Sequence, residues 1–301
     1  MSAVRTPDLN PGSGNWSHFS GPLDPLFEAA SDWKQELAGV EKPWLCWNVN
    51  SRWCELQQSL VKEVGWTPVV GSDPRHPDPR LLPGAIKIDF NRRLQFPNMW
   101  MHFPLDLVYL YADRLAFWHS DLLCRRENMQ FLAGSFDGLE NGRMAAVFDD
   151  GGWRYLLSRS RHRYWELAGC VTRAASKSLW DHGAGWWRHF YLHPNFPARR
   201  ADQTRNKWNW DHGYGIIHWK RHCGGNVVDL GVRRLGEGHC TWVGRTNYSP
   251  TVPEGASHGE SARPSESSQF NLGSEIDGRY DLRAVAQRLG IDDLLSDKVL
   301  R

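Results

Sequence analysis

Apolar and polar positions change period along the chain, and each change marks an element. Residues 42–50, KPWLCWNVN, are nearly continuous in apolar character and read as a buried strand. In residues 51–65, SRWCELQQSLVKEVG, Trp53, Leu56, Leu60 and Val64 recur at three- and four-residue spacing. That spacing predicts a helix with one apolar face, capped by Ser51 and ended by Gly65. Residues 66–71, WTPVVG, read as a second short strand. Strand, helix and strand within about 30 residues make a βαβ unit, which implies parallel pairing.

A Pro-rich loop, DPRHPDPRLLPG, precedes an alternating segment at 85–91, AIKIDFN, expected to be a strand. Residues 103–114 read as a helix running into the apolar run 115–118, LAFW, a further strand. Residues 127–139 place Met129, Leu132, Phe136 and Leu139 on one helical side. Residues 142–149 and 154–160 read as strands, and 170–183 as a helix stopped by Gly183. Beyond residue 190 the periodicity weakens; 214–220, 226–231 and 239–244 read as short strands. These patterns predict an α/β fold with a mixed, mostly parallel sheet flanked by helices. They also divide the chain into an N-terminal arm (1–41) with a possible short helix, a main domain (42–248), a Ser/Pro/Gly/Glu-rich flexible linker (249–278) and a C-terminal helical segment (279–301).

Composition adds limits. A net charge of +2 over 301 residues is too balanced for a dedicated nucleic-acid surface. No apolar run reaches the length of a membrane span, and the first residues lack the apolar core of a secretory signal. A soluble, cytoplasmic protein is expected. The six cysteines contain no Cys-x-x-Cys pair, which argues against a zinc ribbon and for reduced structural thiols. The 17 tryptophans suit either a sugar or nucleobase platform or a Trp-rich core.

Three regions concentrate chemistry. In RLAFWHSDLL (114–123), a buried strand ends in His119, Ser120 and Asp121. Ligands of open α/β sheets sit beyond the carboxyl ends of the strands. Residues two apart in an extended chain project to one side, so His119 and Asp121 could share Mn²⁺ or Mg²⁺. The alternative is a strand-end His bonded to backbone, with Asp121 capping the next helix. In WDHGYGIIHWKRH (210–222), His212 and His218 offer metal ligands, and Lys220 and Arg221 offer charge to phosphate. As a strand, this segment places His218 and Lys220 on one face; the alternative is a solvated basic edge. In RYWELAGCVTRAAS (163–176), Glu166 is a candidate general base or sugar ligand, against a salt bridge with Arg163 or Arg173. Just beyond, Trp186, Trp187 and Arg188 offer ring stacking and an anion partner, against a role in the core. No phosphate-binding P-loop, G-x-G-x-x-G after the first strand, G-x-S-x-G or H-E-x-x-H is present.

The order of these features resembles nucleotide-sugar-dependent glycosyltransferases of the GT-A fold, over residues 42–245. FPLDLVYLYADRLAFWHSD (103–121) looks like the helix-to-motif segment that leads into the Asp-x-Asp of that family. RYWELAGCVTRAAS looks like the acceptor-side segment, and DHGYGIIHWK (211–220) like the late segment that returns a His to the metal. The resemblance implies a nucleotide-diphosphate sugar donor, an acceptor, and Mn²⁺ or Mg²⁺ held against the diphosphate. It implies His119, Asp121 and His218 as metal ligands, with His119 standing where the family has an acid. It further implies Glu166 or Asp211 at the acceptor hydroxyl, Asp89 at the nucleotide ribose, and Lys220 and Arg221 at the diphosphate. Two other classes compete. One is a His/Asp metal-dependent oxygenase or hydrolase; the other is a non-catalytic binding protein of glycosyltransferase-like fold.

Overall fold

In the computed structural model, residues 24–72, 78–95, 99, 101–149, 163–186, 213–231, 235, 238 and 282–295 are described. Seven strands form one sheet: β1 Pro43–Asn48, β2 Thr67–Ser72, β3 Ile86–Lys87, β4 Arg114–Trp118, β5 Arg143–Asp149, β6 Arg163–Thr172 and β7 Asn226–Gly231. Their order is β3-β2-β1-β4-β6-β5-β7. All neighbouring pairs are parallel except the two made by β6, which runs against both β4 and β5. The sheet is mixed and mostly parallel, as the alternation of strand and helix signals predicts.

Among the described residues, eight α-helices lie on its two faces: α1 Asp24–Glu36, α2 Ser51–Glu63, α3 His102–Asp106, α4 Val108–Tyr111, α5 Arg126–Asp137, α6 Arg173–Asp181, α7 Tyr214–His222 and α8 Leu282–Leu289. Strand side chains alternate between two apolar layers. Trp44, Cys46, Ala116 and Trp118 join α2, α5 and α8 on one face. Leu45, Trp47, Leu115 and Phe117 join α1, α3, α4, α6 and α7 on the other. β1 and β4 are thus covered on both sides, which is why their sequences are apolar without alternation. Much of the tryptophan is spent here. The Trp44 ring meets Trp66, Trp118 and Phe136 edge-on at 5.1–5.5 Å between centroids.

Several local expectations are corrected. The cap of α2 is Asn50, whose side chain accepts from the Arg52 and Trp53 amides at 3.1 and 3.3 Å, so Ser51 begins the helix. The strand expected at 85–91 pairs only over Ile86–Lys87. The helix expected over 103–114 is two short ones, broken at Leu107. Ser176 from α6 enters the break: its hydroxyl donates to Asp106 O and accepts from the Tyr109 amide, replacing rungs the helix would supply. Cys170–Thr172 belong to β6, paired with Arg114–Ala116, so the following helix starts at Arg173. Residues 214–220 are helical, not a strand. Gly213, at φ 74°, turns the chain into α7, Ile216, Ile217 and Trp219 face the core, and Trp219 lies on Gly225 where a side chain would not fit.

α1, within the stretch read as an arm, buries Leu26, Ala29, Ala30 and Trp33 in the second layer, joined by Leu37 just past its end. α8 buries Leu282, Val285, Ala286 and Leu289 in the first. Arg126 ties the segment after α8 to α2 through Asp293 and Glu63. Both terminal helices therefore complete the layers. The strands expected at 154–160 and 239–244, and the linker 249–278, lie outside the described residues.

Two outcomes follow from this packing. Gly169 of β6 lies so close to the Ala145 carbonyl and the Phe117 ring that a Cβ would overlap both. Gly169→Ala is expected to cost about 1–3 kcal/mol in urea unfolding. The thiols of Cys54, Cys124 and Cys170 are buried, and burial pushes each up to about 12. The unfolded chain releases those protons from about pH 8.5. It then binds fewer protons than the native state, so stability falls between about pH 8.5 and 12. A urea midpoint that does not drop between pH 8 and 10 would contradict this.

Candidate active site

The chain order places β2 on one side of β1 and β4 on the other. Strand order reverses there, and the carboxyl ends of β1 and β4 border a topological switch point, where open α/β sheets bind ligands. Asn48 ends β1 and Asn50, the cap of α2, follows it; His119, Ser120 and Asp121 follow directly on β4. After Trp118 the chain closes a turn in which the Leu122 amide donates to His119 O at 3.0 Å. This turn brings the side chains of His119 and Asp121 together, with Nδ1 of the imidazole hydrogen-bonded to the Asp121 carboxylate. Asp121 is 3 % exposed, while the His119 side chain keeps 28 % of its surface. The carboxylate is enclosed and the imidazole is its outlet to solvent.

Glu166 comes to the same place through an irregularity in β6. Against β4 the register is unbroken to Trp118↔Ala168, and the His119 amide donates to Leu167 O at 2.9 Å. Against β5 the register jumps from Ala146↔Gly169 to Val147↔Trp165, leaving residues 166–168 without partners in that strand. A bulge of this kind redirects side chains. Here the Glu166 carboxylate stands 3.9 Å from His119 Nε2 and 3.5 Å from His102 Nε2. His102, 1 % exposed, opens α3. His102, Glu166, His119 and Asp121 form a chain of alternating imidazoles and carboxylates. The short, Pro-containing helix is fixed from its other end, where the Asp106 carboxylate accepts from the Trp186 amide at 2.8 and 3.1 Å.

The other expected site residues are dispersed. Asp89 lies past the carboxyl end of β3, and its carboxylate accepts from the Asn91 amide at 3.0 Å, closing a turn while remaining exposed. Trp186 is fully buried and meets Phe117 edge-on at 5.2 Å, so it is core and not a sugar platform. Lys220 is on a helix, and its ammonium bonds Asp229 at 2.9 and 3.0 Å and the Tyr164 hydroxyl at 2.6 Å. Burial, then the hydrogen bond and charge of Asp229, push the Tyr164 phenol well above its ordinary range. The cluster joins α7 to β7 and commits the Lys220 charge. Arg221 is exposed on the same helix. His218 faces His222 one turn on, with 5.2 Å between rings. Trp187, Arg188, Asp211 and His212 lie outside the described residues. The apolar pattern predicts a helix only from residue 103, so it gives no signal for His102, which the structure places at the start of α3.

The arrangement bears on the cation that the resemblance implies. His119 and Asp121 are bonded to each other rather than held apart around a common ion. Among the described residues, no group of three or more His, Cys, Asp or Glu is arranged to hold a metal ion. As arranged, these side chains do not fit a preformed Mn²⁺ or Mg²⁺ site. They fit acid–base chemistry: a carboxylate on Nδ1 fixes the tautomer and leaves Nε2 to accept a proton. Among the described residues, no helix is long and apolar enough to cross a membrane. No protein-family model, curated protein or solved structure matches the chain.

The support beneath the site is testable by stability. Asp106→Ala leaves the buried Trp186 amide without its acceptor. A loss of about 1–3 kcal/mol is expected in urea unfolding, and an unchanged midpoint would remove Asp106 from the account.

Proposed function

We propose that this protein is a GT-A-like glycosyltransferase. It moves a sugar from a nucleotide-diphosphate donor to an acceptor hydroxyl, with His119 as the base. The observation that carries the reading is the His119–Asp121 hydrogen bond at the carboxyl end of β4, beside the switch point. The reading draws further support from the βαβ start, the apolar fourth strand ending in His-x-Asp, and Glu166 arriving on the strand beside it.

In this scheme His119 Nε2 takes the acceptor proton as the hydroxyl oxygen bonds to the anomeric carbon. The bond from that carbon to the diphosphate breaks, and the nucleoside diphosphate leaves with the electron pair. Asp121 stabilises the imidazolium that forms, and Glu166, 3.9 Å from Nε2, faces the positive charge. Asp89 borders the same end of the sheet as a candidate for the ribose. The reaction and its donor belong to the cytoplasm.

Nucleoside diphosphates, added with and without Mn²⁺, are expected to raise the melting temperature of the purified protein by mass action. His119→Asn should keep that shift while lowering turnover of a nucleotide-sugar panel by about 10²–10⁴-fold. Two results would overturn the reading: no nucleoside diphosphate binding under either condition, or a stoichiometric, tightly held transition metal. The metal result would favour an oxygenase or hydrolase in which His119 Nε2 is a ligand.

A further inference from the structure

We infer that Gln57 is a positioning residue that holds the His119–Asp121 pair in register. This inference rests on the reading of that pair as catalytic. Gln57 lies on the buried stripe of α2 among Trp53, Leu56, Leu60 and Val61 and has no exposed surface. Its side-chain amide donates to His119 O and Leu122 O, each at 2.9 Å. Those carbonyls belong to the first and last residues of the turn that carries His119, Ser120 and Asp121.

The turn is closed by the bond from the Leu122 amide to His119 O at 3.0 Å. Gln57 adds two more from a helix anchored on β1, across the switch point. The orientation of the amide follows from its partners, because reversing it would set an acceptor oxygen against two carbonyls. Its own oxygen is buried without a hydrogen-bond partner among the described residues. A polar group in an apolar stripe is costly, and here it meets the two carbonyls whose positions decide where the imidazole and carboxylate stand. A displacement of about 1 Å in such a pair can lower turnover about 10²-fold.

The test reads the pair directly. In proton NMR of the full-length protein, the His119 Nδ1–H bonded to Asp121 should give a low-field imidazole resonance that is absent from His119→Asn. Gln57→Leu, close in volume but without donors, is expected to lose or broaden that resonance while its circular dichroism stays native. Turnover should fall about 10²-fold, and Gln57→Leu combined with Asp121→Asn should be no slower than Asp121→Asn alone. A residue that only stabilised the fold would give independent losses. In the wild type, both protons on the Gln57 amide nitrogen should exchange slowly, a measurement that stands even where the variant fails to fold. Retention of the resonance in Gln57→Leu, or fast exchange of either amide proton, would overturn the inference. Loss of the resonance in a protein that turns over no nucleotide sugar would leave the positioning role intact and remove only the functional reading.

Discussion

β4 is covered by helices on both faces and paired on both edges, so polar groups of this segment can emerge only at its ends. Its five residues, Arg114–Trp118, bury Leu115, Ala116, Phe117 and Trp118 completely. The first polar side chains after that run necessarily arrive at the carboxyl edge of the sheet. Because the chain has placed β2 on the far side of β1, that edge is also where strand order reverses. The candidate site is a consequence of this burial: the chain becomes polar where the sheet has stopped covering it.

Polar groups at such a position need partners, since an unpaired buried charge is expensive. The cluster supplies them internally, each carboxylate facing an imidazole and each imidazole a carboxylate. Removing one member would leave its neighbour buried beside a gap, so the four are mutually dependent. The same logic operates beneath them. Asp106 takes the Trp186 amide, Ser176 bridges the break between α3 and α4, and Gln57 takes two carbonyls of the turn. Buried polar side chains thereby tie α2 to the turn after β4 and brace α3 against α6 and Trp186.

Two helices near the ends of the described chain complete the layers. Trp33 of α1 meets Phe90 and Tyr111 edge-on, closing the second layer over β1 and β4. Around α8, the Arg125 and Arg126 guanidinium groups donate to Arg288 O and Gly290 O, beside the Arg126 links to Glu63 and Asp293. Leu123, two residues after Asp121, donates its amide to Gly238 O. The chain just past the site is therefore packed under later segments rather than left open to solvent.

Periodicity alone determined the βαβ start, the central strand at 115–118, the helix containing Met129, Leu132 and Phe136, and the His-x-Asp at a strand's end. Those elements bury a face whose spacing is written locally. Three features depended on the tertiary structure. Residues 214–220 carry too few polar positions for their period to separate strand from helix, and Gly213, Gly225 and packing on Trp219 decided for the helix. Glu166 reaches His119 because three residues of β6 go unpaired with β5, a register property that exists only when both neighbouring strands are present. His102 and Gln57 enter through contacts to residues 64 and 62 or more positions away, and no local pattern encodes such a distance. The sequence by itself thus set which segments are apolar and where that character ends; the folded sheet alone decided which polar side chains meet at that end.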